Sequence, residues 1–395
     1  MKISFGFLAA GLLVCCTPSQ QTVPGPSEEN IDPGNDDKPR GDLVQILDSK
    51  GNTLCKVDAG ASCTATDAGI LYGIFTPGEN QSTAPAAYRL LSPETNESMA
   101  GTDIDNQGYE PVFARTELGS NAYTLNLIGN PMDNARDDLM LYGFSSDAVT
   151  ETRISSCGFP YAAMTRSGDK LLIMNHEMSR PHCDKVYSYD QKQLKEILSF
   201  PEGDKSESLR SIYGTEDGFY LLRLHIDGSS AELFDDRYDS DCNILSSKSL
   251  SSLITSAALN EGLTGEDALA QVGMHVAGFR VVDDRYLFYE NFSMTRVIID
   301  LEQDKVLFSG NDLYQMSTGS GRPLFYKLQF SESDGLDIVG IKDGAVEHIS
   351  SVPAAYPSSS GLLLQGISTS PCGNCLYRFS TPTFTTSYVW VRAGN

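Results

Sequence analysis

The stretch MNHEMSRPHCD, residues 174–184, holds the densest set of reactive side chains in the sequence: His176, Glu177, Arg180, His182, Cys183 and Asp184. Imidazole and carboxylate groups this close together can ligate a transition metal or act as acid and base. The whole chain has five histidines, and another of them, His225, stands in LLRLHID with Asp227 two positions on. Glu290 closes a similar apolar run, YLFYE. The candidate binding set is therefore His176, Glu177, His182, His225, Asp227 and Glu290. The plain alternative is a surface loop closed by a Cys157–Cys183 bridge, with Arg180 paired to an acid.

Short strands must position these residues. Helical periodicity is scarce, and mostly apolar runs recur after turns rich in Gly, Asp and Ser. The runs are DAGILYGIF (67–75), SNAYTLNLIG (120–129), SGDKLLIMNHE (167–177), EDGFYLLRLHID (216–227), DDRYLFYENF (283–292), GRPLFYKLQF (321–330) and SSGLLLQGIS (359–368). Anchored at Leu71, Tyr123, Leu171, Tyr220, Tyr286, Phe325 and Leu362, most repeats fall near the period of about 40–50 residues typical of propeller blades. A blade cannot bury both faces alone, and radial stacking gives one core with short edges. The reading is an all-β β-propeller of about seven blades, with six as the alternative and a pair of β-sandwiches as the rival. The widest gap holds SLSSLITSAALNEGLTGEDALAQ (249–271), with Leu253, Ile254, Ala257 and Ala258 at helical spacing, a stop at Gly262 and a restart after Thr264. It reads as a short helical insertion between blades. Laying Leu171 over Leu221 sets Asn175 opposite His225 and Glu177 opposite Asp227. Adding Leu287 brings in Asn291, with Glu290 just before it.

The triplet Asn175-His176-Glu177 after GDKLLIM (168–174) resembles a stretch of the secreted PhoX-type propeller phosphatases. The resemblance covers that triplet and the strand before it. It implies a metal-dependent hydrolase in which His176, Glu177, His182, His225 and Asp227 supply ligands or acid–base groups. The further carboxylate clusters of such an enzyme have no match in this sequence. Two strings are calcium-like. Asp103-Ile-Asp105-Asn-Gln-Gly108 begins as a calcium loop does but has Ala114 at the twelfth position, and Asp239-Ser-Asp241-Cys-Asn243 lacks the following Gly. No nucleophile elbow, phosphate loop, HExxH helix or dinucleotide fingerprint is present, and the reading assigns no cofactor.

The N-terminus speaks to location. Lys2 is the sole charged side chain before Glu28, and the apolar run Ile3–Val14 is too short to span a bilayer. Leu12-Leu13-Val14-Cys15-Cys16 resembles the bacterial lipoprotein signal, in which a cysteine is lipidated and becomes the new N-terminus. Cys16, with Leu13 three residues before it and small Cys15 next to it, fits better than Cys15. An ordinary secretory signal is the alternative, with Asn80, Asn96 and Asn291 then glycosylation acceptors. Residues 1–16 are read as the signal, and residues 17–41, rich in Pro, Gly and acids, as a flexible tether. Residues 42–395 are read as the propeller. Thr17 offers no inner-membrane retention signal, so the expected location is the outer membrane, reached through an N-terminal lipid.

The net charge of −23 and pI near 4.5 exclude nucleic acid as a partner, since phosphate contacts need Lys and Arg. They suit a basic or cation-bridged partner. Export permits disulfides, and proximity in sequence pairs Cys55 with Cys63, Cys157 with Cys183 and Cys372 with Cys375, leaving Cys242 over. The functional expectation is an envelope lipoprotein whose propeller binds a ligand, protein or glycan. The alternatives are the metal-dependent hydrolase above and a structural or adhesive module.

Overall fold

Alternation of apolar and polar residues between turn-forming Asp, Ser and Gly yields strands almost throughout. The computed structural model describes residues 44–57, 61–74, 87–103, 115–128, 138–154, 160–177, 184–200, 207–227, 230–254, 280–282, 285–290, 296–310, 314–319, 321–331, 336–342, 344–348, 362–381 and 386–393. Residues 1–43, which include Cys16 and the stretches read as signal and tether, lie outside them.

Sheet one is β3 (Ala61–Ala65), β4 (Ile70–Ile74), β5 (Ala87–Ser92) and β6 (Glu97–Asp103). Sheet two is β7 (Arg115–Leu118), β8 (Asn121–Ile128), β9 (Asp138–Phe144) and β10 (Val149–Ile154). Sheet three is β11 (Pro160–Ser167), β12 (Lys170–Glu177), β13 (Lys185–Tyr189) and β14 (Leu194–Ser199). Sheet four is β15 (Glu207–Gly214), β16 (Gly218–Asp227), β17 (Ser230–Asp239) and β18 (Ile244–Ser249). Sheet five is β19 (Arg280–Val282), β20 (Tyr286–Glu290), β21 (Arg296–Asp300) and β22 (Lys305–Gly310). Sheet six is β23 (Tyr314–Met316), β25 (Phe325–Lys327), β26 (Ile338–Lys342) and β27 (Ala345–His348). Sheet seven joins the two ends of the chain in the order β2 (Thr53–Val57), β1 (Val44–Leu47), β30 (Thr386–Val391), β29 (Cys375–Ser380), β28 (Leu363–Thr369) and β24 (Thr318–Gly319).

Each sheet buries its two faces against its two neighbours. Leu71 and Tyr88 of sheet one meet Ala122 and Phe144 of sheet two. Leu125 and Leu141 meet Leu171 and Ile173 of sheet three. Leu172 and Met174 meet Leu209 and Leu221 of sheet four, and Leu222 and Leu224 meet Leu287 and Ile299 of sheet five. Phe288 meets Phe325 of sheet six, and Tyr326 meets Leu364 and Phe379 of sheet seven. Tyr388 and Trp390 then meet Ile70 and Tyr72 of sheet one, which closes the ring. The fold is a β-propeller. A sandwich pair would leave no such cyclic order of contacts.

The first strands approach one another and so line the axis. Ala65 N–H donates to Ser368 Oγ at 3.0 Å, and Gly214 N–H to Thr165 Oγ1 at 3.1 Å. A Cβ on Gly214 would stand 1.7 Å from the Arg166 carbonyl oxygen, so this approach requires glycine. In the antiparallel sheets, turns from first to second and from third to fourth strands lie at one end, here the turn end. They are tight: β11 ends at Ser167 and β12 begins at Lys170. Most connections at the other end, the loop end, are longer, as from Ile74 to Ala87 and from Ile128 to Asp138, but β16 ends at Asp227 and β17 begins at Ser230.

Turn chemistry repeats around the ring. Ser92, Ser145, Asp190, Asp239 and Asp300 open the third-to-fourth turn of sheets one to five, each accepting backbone N–H groups from its own turn. Backbone N–H groups of Gln193 and Lys192 hold the Asp190 carboxyl below its ordinary range. Asp239-Ser-Asp241-Cys-Asn243 is one of these turns, so its calcium-like look is explained by Asp239 bonding Asp241 and Asn243 at 2.9 and 2.8 Å. Of the other calcium-like string, Asp103 pairs with Arg89, and 104–114 lie outside the described residues.

Several expectations need correction. Six anchors fall in second strands, but Leu362 precedes β28, a first strand; the matching second strand is CLYRFS. Tyr189 before Asp190 pairs with Leu171, and Tyr238 before Asp239 pairs with Phe219. Leu171 is thus level with Phe219, Asn175 with Arg223 and Glu177 with His225. The overlay on Leu221 slips by two residues because β16 extends further at the loop end. Two expected disulfides are absent. Cys375 Sγ faces the Gly373 carbonyl at 3.7 Å and the Cys372 thiol bonds Asp67, so both remain thiols. Cys55 is also a thiol, bonded to Tyr72, on the outer edge strand of sheet seven, whereas Cys63 lies on the first strand of sheet one. Cys157 and Cys183 lie outside the described residues. Of the helical insertion, residues 251–254 form one turn that buries Leu253 and Ile254 between sheets four and five, and 255–279 lie outside.

Candidate functional site

Strand β16 alternates. Leu222 and Leu224 point to sheet five, while Leu221 packs toward sheet three. Period-two geometry puts Arg223 and His225 on the side of Leu221. Above the apolar cluster of sheets three and four, that side carries a linked set of charges. Asp236 accepts Arg223 Nε at 2.5 Å and Nη2 at 3.2 Å, and also the Ser247 hydroxyl. Glu207 accepts Arg223 Nη1 at 2.6 Å, and its other oxygen lies 2.7 Å from His225 Nδ1. The guanidinium also sits over the Phe234 ring, 4.7 Å from its centroid.

Side-chain exposure rises along this series, from 1% at Asp236 through 17% at Arg223 and 23% at Glu207 to 38% at His225. The network runs from the core to solvent at the loop end. Burial alone would lower the Arg223 pKa, but hydrogen bonds and charge from Asp236 and Glu207 raise it above its ordinary value. Arg223 therefore acts as a fixed cation that locks Glu207, and Glu207 in turn orients the His225 ring. Glu232, paired in register with His225, accepts the Ser249 hydroxyl at 2.7 Å and adds a second carboxylate to this rim. A histidine oriented in this way can donate, accept or bind a basic group.

The sequence-chosen residues gather at this end. His176 and Glu177 are the last two residues of β12, paired with Tyr161 and Pro160. Asp227 ends β16 opposite Ser230, and Glu290 ends β20 opposite Arg296. Second strands of three consecutive sheets thus end in carboxylate residues at the loop end. His182 lies outside the described residues. Among the described residues, no group of three or more His, Cys, Asp or Glu is arranged to hold a metal ion. Sequence reasoning missed Glu207, Arg223, Asp236 and Glu232. Arg223 was readable, since Arg223, His225 and Asp227 occupy alternate positions of an otherwise apolar strand.

On the opposite side of sheet four, Asp235 is buried and accepts the Tyr213 hydroxyl at 3.0 and 3.2 Å. Burial raises its pKa to about 6 from 3.8; the Tyr213 bond and Lys248 oppose this, and neighbouring Asp236 adds to it. The folded state keeps a proton that the unfolded state releases. The stability this supplies is complete below 3.8 and is lost as pH rises through about 6. Asp235→Asn keeps the acceptor for Tyr213 without the ionisation. Its unfolding free energy relative to wild type therefore rises between pH 4 and pH 7.5, by up to about 3 kcal/mol. Urea unfolding at both pH values checks this, and a gap independent of pH rejects it.

No protein-family model matches the sequence, and no curated protein matches it. Among solved structures the chain is similar to BamB from Moraxella catarrhalis, at 10% identity and a TM-score of 0.42, covering 87% of this chain and 88% of that one. It is similar to the WD40 β-propeller domain of Doa1, at 11% identity and a TM-score of 0.37, covering 86% and 90%. It is also similar to dihydro-heme d1 dehydrogenase NirN, at 12% identity and a TM-score of 0.37, covering 75% of this chain but 56% of that one.

Proposed function

We propose that this protein is a cell-envelope lipoprotein, anchored through Cys16, whose propeller binds a protein or glycan partner with the loop end of sheets three to five. The observation that carries the binding reading is the contrast between the two ends. The turn end consists mostly of tight turns, five of them closed by their own Ser or Asp side chains. At the loop end, β16 runs on past the apolar core to His225 and Asp227, and a locked Arg223 holds Glu207 against a partly exposed His225. Glu232 lies on this rim, and the second strands that end there close on Glu177, Asp227 and Glu290; these carboxylate residues suit a basic group on the partner. The lipid anchor rests on the signal-like Leu13-Val14-Cys15-Cys16 and on the proline- and acid-rich stretch after it. Among the described residues no helix is long and apolar enough to cross a membrane.

Site-specific photocrosslinking tests the binding face. A photoreactive residue in place of Glu232 or His225 gives a discrete crosslinked product in the envelope, and one in place of Asp241 at the turn end gives none. Products from Asp241 alone, or from no position, reject the assignment. Metabolic labelling with an alkyne fatty acid tests the anchor: label is lost in Cys16→Ser and kept in Cys15→Ser. A large rise in melting temperature with a single added metal would instead favour the metal-dependent hydrolase.

A further inference from the structure

Arg210 stands apart from the ion-paired arginines of the neighbouring strands. It interrupts the first strand of sheet four at a β-bulge: Leu209 pairs with Arg223 and Ser211 with Leu222, so Arg210 has no cross-strand partner on β16. A bulge re-aims the side chain of the extra residue. The residue is 6% exposed. Among the described residues it forms no ion pair, and its Nε has no hydrogen-bond partner. Arg223 and Arg285, by contrast, are each held by two carboxylates. Asp184, itself fully buried and accepting the Leu209 N–H at 2.8 Å, favours the Arg210 charge without reaching it. Burial lowers the Arg210 pKa to about 10, so the group is a cation at neutral pH.

A guanidinium presents planar paired donors that match the two oxygens of a carboxylate or phosphate. A buried guanidinium with an unsatisfied donor is costly unless something charged meets it. We propose that Arg210 receives a small oxyanion, a carboxylate or a phosphate group, bound at the bulge in the first strand of sheet four. The ligand class is opposite in charge to the basic partner suggested for the rim, and the inference does not depend on that reading.

The test is the melting temperature of the full chain in mild detergent with inorganic phosphate or acetate, at constant ionic strength against chloride. Wild type, Arg210→Gln, Arg210→Met and Arg210→Lys are compared. At about a hundredfold excess over Kd, the effective anion raises the wild-type melting temperature by about 5 °C. It gives a smaller rise in Arg210→Lys and none in the Gln and Met variants. A response to phosphate alone identifies a phosphate-type ligand, and one to acetate alone a carboxylate. Without added oxyanion, Arg210→Met melts no lower than wild type, because it removes an uncompensated charge. The proposal is overturned if neither anion moves the wild type, or if wild type and the neutral variants respond equally. It is also overturned if Arg210→Met melts several degrees lower in chloride alone, which would reveal an acid of the chain itself as the partner. Should the variants not fold, wild-type calorimetry with phosphate and acetate decides alone, and no heat of binding from either overturns it.

Discussion

Replacing Arg223 with methionine lowers the unfolding free energy by about 4 kcal/mol. The reason is the carboxylates left behind. Asp236 is 1% exposed and spends both oxygens on this guanidinium, while Glu207 spends one. Methionine fills much of the stem volume over Phe234 but leaves a buried carboxylate without its counter-ion. The double variant Arg223→Met with Asp236→Asn removes the stranded charge and recovers a large part of the loss, which makes the two substitutions strongly non-additive. Urea unfolding of the single and double variants measures this. A loss under about 1 kcal/mol in Arg223→Met would mean that the pair behaves like an exposed ion pair, and the network could not be the rigid support that the proposed binding rim requires. The same experiment bears on function, because His225 keeps its ring orientation only while Glu207 stays locked.

Ile46→Ala costs about 4 kcal/mol and loosens the seam where the ring closes. Ile46 lies on β1, which runs parallel to β30 with Ile46 paired to Tyr388, and antiparallel to β2 with Ile46 paired to Cys55. It is fully buried among Leu376, Tyr388, Trp390 and Tyr72. Without the hairpin β1–β2, sheet seven would expose the hydrogen-bonding edge of β30, and sheets seven and one would lose their shared apolar cluster. Trp390, the sole tryptophan, sits in this seam and is 8% exposed, so its fluorescence reports on it directly. Ile46→Ala shifts the emission to longer wavelength and lowers the denaturant midpoint, whereas Gln45→Ala next to it changes stability by less than about 0.5 kcal/mol. Equal effects of the two substitutions would show that the hairpin merely rests on the sheet edge.

The sequence by itself determined the kind of structure. Runs such as GFYLLRLHID and SGDKLLIMNHE alternate with a period of two between turn formers, and they recur at blade-like intervals, so strands and a propeller followed from local chemistry and spacing. It also carried a mark that went unread, the Ser or Asp at 92, 145, 190, 239 and 300 that closes one turn in each of five sheets. The cluster of His176, Glu177, His225, Asp227 and Glu290 at one end was legible because all five sit at the ends of second strands. Their register was not. The turn after Gly214 is longer than the turn after Ser167, and only the pairing of Tyr189 and Tyr238 with their partners shows the two-residue slip.

Tertiary structure alone decided the rest. The lock of Arg223 between Glu207 and Asp236 joins three strands, the seam of Ile46 with Tyr388 joins the two ends of the chain, and Arg210 is set in its bulge by the mismatch of β15 with β16. The seam depends on pairing between the two ends of the chain, and the lock and the bulge on the exact register of neighbouring strands; local residue preferences hold no record of either. Nearness along the chain also misled the disulfide reading: Cys55 and Cys63 fall on different sheets, and Cys372 and Cys375, though in one turn, bond Asp67 and the Gly373 carbonyl instead.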